Sequence, residues 1–481
     1  MNRSTRYSAK AASRRRLGLT AALTVMSLAI PTAAFAVTPG AGPAGKGGVR
    51  AAMPPYGMAV PRSLSPLASV RAGDGDPDPS IFGLDGKVGV HGSATSDDML
   101  VGSSIAPDGK ILASGYREES NGEFSTVTRR NTDGSPDLSF GNKGVASVHG
   151  LNGPALKVVA TADGGMVGVG YTLAGDSPDV AVFRLDASGQ VVQSFGQNGV
   201  VQFHNPGPDL GTDILVQPDG KIVLIGFTAP TESTSDIFVR RLLPNGASDT
   251  GFGVGGEAVV NVSDSDQASA VALQPDGKIV VVGGTDLNNE GLVLRFNQDG
   301  TADQSFGTRG VVTLNPKGFT EAYDVAVQSD GKIDVAGYTA SPEPGVPGDA
   351  VVFRLQANGL ADASFNGNGR VIFANDGDDI GYTLGIEPDN SIVVSAFQPQ
   401  ENGEVTDSFL NRVTSNGALD PTFGTRGAVR VHNTEATFEL GLSIQSDGKI
   451  VVAGRRGGFN IVNSIGTIDR FNLNGTFDTT H

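Results

Sequence analysis

Three features of the sequence predict an all-β fold, a seven-bladed β-propeller of four-stranded antiparallel blades. One pattern returns seven times, each copy holds four short strand-like runs, and a lone strand at the start has no counterpart at the end. The copies recur every 54 to 59 residues, timed by a turn aspartate at Asp108, Asp163, Asp219, Asp276, Asp330, Asp389 and Asp447. An arginine follows in every copy, at Arg129, Arg184, Arg241, Arg295, Arg354, Arg412 and Arg470. Eleven residues later comes Phe140, Phe195, Phe252, Phe306, Phe365 or Phe423, and in the last copy His481.

A full copy reads VALQPDGKIVVVGGTDLNNEGLVLRFNQDGTADQSFGTRGVVTL. Its VALQ run is strand A, KIVVVG strand B, LVLRF strand C and GVVTL strand D. No helical period interrupts them. PDG between A and B reads as a tight hairpin, with Pro setting φ and Gly taking the left-handed position. The loop NxDGxxDxSFG between C and D is built of turn formers. Strands A and C are apolar almost without break, as expected of strands covered on both faces. DPDPSIFGLDGKVGV, residues 76 to 90, aligns with the end of a copy and with nothing earlier in one. Phe82 and strand Lys87 to His91 are therefore expected to complete the last blade and close the ring, leaving no open sheet edge.

Upstream, residues 1 to 36 carry six basic side chains, no acid, the apolar run LGLTAALTVMSLAI and AFA before Val37. That pattern is a secretory leader, and it predicts an exported protein, periplasmic or extracellular. SRRRLGL resembles a twin-arginine signal, so both export routes stay open. Residues 37 to 75, rich in Pro, Gly and Ala, read as a disordered linker, and 76 to 481 as the propeller. No later run is long and apolar enough to suggest a membrane span. The chain holds no cysteine, which removes disulfides, thiol nucleophiles and thiolate metal sites. Its 35 basic and 51 acidic residues give a net charge of −16, and loss of the leader leaves 29 against 51, or −22. A field of that sign repels nucleic acid and anionic lipid. The expected state is a monomer.

With PDGKIVVxG and NxDGxxDxSFGxxG in combination, the copies resemble the delta-60 repeat family of bacterial propeller-type repeats, over essentially the whole chain beyond residue 76. The second and sixth copies depart at the turn, with ADGGM and PDNSI. The resemblance implies the fold and an exported setting, and names no activity.

The spacing from the turn Asp to the end of strand B, and from Arg to Phe, is constant, while the B–C interval runs from twelve to seventeen residues and D–A also varies. Alternating strand direction puts the variable loops on one face. Loops on a rigid scaffold carry specificity, so that face is the candidate. Tyr116, Tyr171, Tyr323, Tyr338 and Tyr382 all fall where strand B ends or strand A begins, with Phe227 and Phe397 at the Tyr116 position in their blades. Acids accompany them at Asp97, Asp98, Asp209, Asp213, Asp264, Asp266, Glu321, Asp324, Asp376, Asp378 and Asp379. Such a rim suits a glycan, a peptide or a divalent cation. The competing reading is that the rings cap gaps between blades, the commoner use of aromatic side chains.

His91, His149, His204 and His432 stand nine residues after the blade Phe, with Asn261 and Asn315 at the same point elsewhere. One ligand per outer strand leaves them on the order of 15 Å apart, whereas zinc needs nitrogens about 2 Å away, so no metal site is expected. NxDGxxD lacks the Gly and bidentate Glu of a calcium loop, and reads as a turn. There is no GxSxG elbow and no phosphate cradle before a helix. Absence of Trp argues against WD40 repeats, Trp-bearing Asp-box sialidases and Trp-docked quinones, and no cofactor is expected. The sequence favours a binding or interaction module for a glycan or peptide. A carboxylate-dependent glycan hydrolase or lyase and a structural surface protein are the alternatives. The recurring Arg is expected to be structural, pairing with the turn Asp of its own blade or packing on the blade Phe.

Overall fold

The computed structural model describes residues 87–90, 98–119, 122–148, 151, 153–172, 178–205, 207–231, 234–285, 290–314, 319–340, 348–373, 379–399, 405–431, 437–456 and 465–479. The leader, the linker and Phe82 lie outside them. Every regular element among the described residues is a strand, and the strands form seven four-stranded antiparallel sheets. In blade 1 they are A (Asp98–Ile105), B (Ile111–Glu119), C (Gly122–Arg130) and D (Val145–Val148), and blades 2 to 6 repeat that order. Blade 7 takes A (Thr437–Ile444), B (Ile450–Arg456) and C (Ile465–Phe471) from the end of the chain and D (Lys87–Val90) from its beginning. The closing strand pairs from Lys87↔Asp469 to Val90↔Gly466, as the orphan strand predicts.

The core is divided among the junctions between blades. Blade 1 packs Leu112, Val127 and Phe140 on Val158, Phe183 and Leu185 of blade 2. The ring closes on Val451, Ala453 and Ile468 of blade 7 against Leu100, Ile111 and Ala113 of blade 1. Each sheet is therefore covered on both faces, which accounts for the apolar run of strand C; strand A is interrupted by polar and charged residues such as Lys157, Asp213 and Asp324.

Two turns per blade set the PDG face. Gly109 N donates to Ala106 O and Ala106 N to Lys110 O, each at 2.8 Å, with Gly109 at φ +82° closing the hairpin as a G1 bulge. The divergent copies keep this turn: Asn390 takes φ +62° in blade 6, a conformation Asn tolerates. Asp133 Oδ1 accepts Ser135 N at 2.9 Å and Asp137 Oδ1 accepts Ser139 N at 3.0 Å, so NxDGxxD is a double side-chain-capped turn.

The recurring arginines clasp neighbouring blades. Arg129, Arg241, Arg295 and Arg354 lie 4.0 to 4.6 Å over the rings of Phe140, Phe252, Phe306 and Phe365. Arg184 Nη1 donates to Pro244 O of blade 3 at 2.6 Å, and Arg470 Nη1 crosses the closure to Thr132 O of blade 1 at 2.6 Å. The acid partner corrects the sequence expectation. Arg129, Arg241 and Arg295 pair at 2.7, 2.7 and 2.8 Å with Asp137, Asp249 and Asp303, eight residues on in the C–D loop rather than in the PDG turn. Arg184 does reach its turn Asp163, at 2.6 Å, in the blade that has Val192 where the loop Asp would stand, and Arg412 reaches both its turn Asp389 at 3.5 Å and its loop Asp420 at 2.5 Å. Each blade Phe in turn abuts the next blade's turn: a Cβ on Gly189 would come 2.9 Å from the Phe140 ring.

Candidate functional site

Strand A lines the central channel, and in every blade its pairing with strand B slips by one residue. The bulged residues are Val101, Leu156, Thr212, Ser269, Tyr323, Tyr382 and Leu440, all seven positions before the turn Asp. A bulge re-aims the side chain and twists the strand. Strand B carries, eight positions after the turn Asp, Tyr116, Tyr171, Phe227, Gly284, Tyr338, Phe397 and Arg455.

These two rings form an aromatic collar. Met99, Tyr323, Ile380, Phe397 and Leu440, with Val101, Tyr116, Tyr338 and Tyr382 against them, make one cluster from blades 5, 6, 7 and 1. Tyr171, Leu210 and Phe227 make a smaller arc from blades 2 and 3. Tyr382 stands 5.8 Å from Tyr323 and 5.9 Å from Phe397 between ring centroids. Tyr171 and Tyr323 are buried, while Tyr116, Tyr338 and Tyr382 are half-buried. The structure thus brings Tyr116, Tyr323, Tyr338 and Tyr382 into one cluster and leaves Tyr171 in the smaller arc. Tyr323 Oη donates to Glu321, and burial followed by that carboxylate pushes the phenol well above its usual range. Tyr382 is pushed up by burial and by Asp324.

Asp213 and Asp324, grouped in the sequence with the loop acids, stand inside strand A, one residue past the bulge. Each ties its blade to the next. Asp213 accepts Ile214 N at 2.8 Å and Val271 N of blade 4 at 2.9 Å. Asp324 accepts Val325 N, and Thr383 Oγ1 and Leu384 N of blade 6, all at 2.8 Å. Burial pushes Asp213 up to about 6, against the pull of Lys157 and the two N–H donors. Asp324 is also raised by burial, with Lys157, Leu384 and Thr383 opposing. Lys157 and Thr383 escaped the sequence reading. Aligning the position six before the turn Asp would have found them, since it runs Gly102, Lys157, Asp213, Ala270, Asp324, Thr383, Gly441.

The outer polar residues are internal ties. His204 Nδ1 lies 2.6 Å from Asp179 at the start of strand C, and Asn261 Nδ2 donates to Asp236 at 2.6 Å in blade 3. Those pairs give His204 and Asn261 a structural role, and Asn315 lies outside the described residues. Asp266 holds its D–A loop by accepting Ser263 N at 2.9 Å and Ser263 Oγ at 2.7 Å. His91, His149, His432, Asp97, Asp376 and Asp378 lie outside the described residues. Among the described residues no group of three or more His, Cys, Asp or Glu is placed to hold a metal ion, and no helix is long and apolar enough to cross a membrane.

Structural similarity is broad and distant. A Dyadobacter fermentans protein of unknown function is similar at 13% identity over 68% of this chain and 98% of its own, with a TM-score of 0.43. Chaetomium thermophilum Sqt1 bound to the N-terminus of the ribosomal protein L10 gives 13%, 78%, 97% and 0.44 in the same order. The polysaccharide lyase Uly1 gives 12%, 77%, 89% and 0.48. No curated protein matches. Residues 106–140, 217–252, 274–306, 328–365, 387–423 and 445–480 match the family model of a β-propeller domain of unknown function, DUF5122. Each segment runs from the A–B turn through the Arg, five of them to the Phe and the last to residue 480, and the unmatched copy is blade 2, where the loop Asp is replaced by Val192. The chain is a β-propeller repeat protein.

Proposed function

We propose that the protein is an exported binding module whose ligand, a glycan or a peptide, docks at the aromatic collar where the channel meets the face of variable loops. The observation that carries this reading is the split between repeated and unrepeated positions. The Arg recurs in all seven copies, the hairpin turn closes alike in every blade, and the Phe stands in the first six copies. The collar positions instead carry Tyr, Phe, Gly and Arg at one level and Val, Leu, Thr, Ser and Tyr at the other. A half-buried Tyr offers an apolar face to a sugar ring or side chain and a hydroxyl to a polar group.

The test is a glycan array and a peptide library, followed by titration of the best ligand against Tyr338→Phe/Tyr382→Phe and Tyr338→Ala/Tyr382→Ala. A collar site predicts weaker binding in the Ala pair, and in the Phe pair as well when the hydroxyls are used. Undiminished binding by the Ala pair, with the protein still folded, refutes the collar. The second reading is a carboxylate-dependent glycan hydrolase or lyase, favoured by one observation: Asp213, at about 6, is poised to exchange a proton near neutral pH. Both oxygens of Asp213 are engaged by backbone N–H groups of two blades, which supports the binding reading over it. Release of product from an array glycan would reverse that order.

A further inference from the structure

The collar has one gap, and a carboxylate faces it. Eight positions after the turn Asp, six blades present a ring or, in blade 7, the long side chain of Arg455, whereas blade 4 presents Gly284. Blade 4 also has Ser269 at the bulge and Gln267 two residues earlier, a strand A position that in blades 1 and 6 packs Met99 and Ile380 into the collar cluster. Among the described residues, a methyl group placed on Gly284 would meet Glu290 O at 3.7 Å and Glu321 Cγ of blade 5 at 4.0 Å, ordinary van der Waals spacing. Glu321 is the second departure. Its position carries Met99, Pro154, Leu210, Gln267, Ile380 and Phe438 in the other blades, so blade 5 alone sets an acid there.

Glu321 is bracketed by aromatic rings. Tyr338 is its cross-strand partner on strand B, Tyr323 donates its hydroxyl to it, and Phe319 packs edge-on to Tyr338 at 5.7 Å. We infer that the notch between blades 4 and 5, floored by Gly284 and walled by Glu321, Tyr323 and Tyr338, receives an organic ammonium group, such as the side chain of a lysine in a peptide ligand. This deepens the collar reading and rests on it. A carboxylate attracts the charge, and ring faces attract an alkylated cation through their quadrupole. One carboxylate among aromatic rings suits that cation better than a hard metal ion, which takes six or more oxygens. Because a four-carbon stem would lie where other blades place a ring, the missing side chain of Gly284 supplies the room.

The chain has no Trp and five of its seven Tyr lie in the collar, so tyrosine emission reports ligand there directly. Nα-acetyl-lysine amide should give a saturable change, and Nα-acetyl-norleucine amide, of similar shape without charge, should bind at least tenfold more weakly. Gly284→Phe, which fills the notch without adding emission, and Glu321→Gln, which keeps its shape, should each weaken lysine binding at least tenfold at unchanged melting temperature. Equal binding of the lysine and norleucine probes, no binding of the lysine probe, or full binding by both variants overturns the inference. A library ligand lost in the Tyr338/Tyr382 Ala pair yet unaffected by Gly284→Phe would sink the notch and leave the collar standing. One that survives the tyrosine pair would sink the collar itself.

Discussion

Replacing Arg295 by Met removes one buried inter-blade clasp. The guanidinium is 4% exposed, pairs through Nε with Asp303 at 2.8 Å, lies 4.4 Å over Phe306, and donates to Gln274 at 3.3 Å and to Ala357 O of the next blade. Met keeps an apolar stem against the ring, so the loss is mainly polar. Breaking a buried pair by deleting one partner costs about 3–5 kcal/mol. Lys278 at 2.9 Å, with Ser305 N and Oγ at 3.0 and 2.7 Å, still attends the Asp303 carboxylate and pulls the figure toward the lower end. The orphaned Ala357 carbonyl pulls it back by about 1–3 kcal/mol. We therefore expect a loss of about 3–5 kcal/mol. Urea denaturation at pH 7 followed by tyrosine emission reads it, and a cycle with Asp303→Asn should show coupling of about 1.5–3 kcal/mol. Arg184→Met is the internal control. Its Asp163 is 60% exposed, so the ion pair itself contributes at most about 1 kcal/mol and the total loss should be clearly smaller than at Arg295. A loss below about 1 kcal/mol at Arg295, or no difference between the two sites, would refute the clasp as the source of blade-to-blade stability.

Deleting residues 76–92 strips strand D from blade 7 and bares the edge at Ile465–Phe471; aggregation or a large fall in melting temperature should follow, and a truncated protein that melts like the full chain would contradict closure. Stability should fall steeply below about pH 4. Asp249, Asp362 and Asp420 are held below the usual carboxylate range because hydrogen bonds and the nearby Lys or Arg outweigh burial, so their contribution is present at neutral pH and lost as they protonate. Asp213 acts with the opposite sign. Raised to about 6 by burial, it binds a proton in the folded state before the unfolded one, so stability should rise as pH falls from about 6 toward 4. Thermal melts across pH 3–8 should show both limbs, and Asp213→Asn should shrink the rising one, with Lys157 and Asp324 as the charges that face it. An unchanged profile would show that Asp213 does not titrate there.

The fold was legible because its determinants are local and repeated. Turn glycines, the Arg to Phe interval and the orphan strand before Val90 can each be read without knowing a single contact. The Arg partner was misplaced because the PDG aspartate is present in all seven copies and the loop aspartate fails in blade 2, which made the turn the better match on recurrence alone. Distance decided otherwise. Asp213 and Asp324 looked like loop acids because Asp209-Leu210-Gly211-Thr212 breaks the alternation expected of a strand; the bulge that causes the break inverts the facing pattern and leaves no residue signature of its own. The tyrosines were found by position, but that Tyr116 of blade 1 meets Tyr323, Tyr338 and Tyr382 of blades 5 and 6 depends on ring closure.

Seven near-copies in one chain also separate what folding requires from what it does not. Each junction poses the same packing problem, and where an identical answer recurs, as with the Arg, Phe and turn Gly, the requirement is structural. At the channel the problem is again the same for each blade, yet the answers range from Gly284 to Tyr338 and from Ile380 to Glu321. Seven apolar residues would fill such a plug with no desolvation of charge. Instead the channel holds Lys157, Asp213, Glu321 and Asp324, and burial has raised two of those carboxyl groups. Two of them, Asp213 and Asp324, are explained by the N–H groups they accept across a junction. Glu321 accepts the Tyr323 hydroxyl and stands beside the sector where the collar has no side chain. An acid at the position that holds Met99, Leu210 or Ile380 in other blades, next to that opening, is why the search for a ligand belongs between blades 4 and 5.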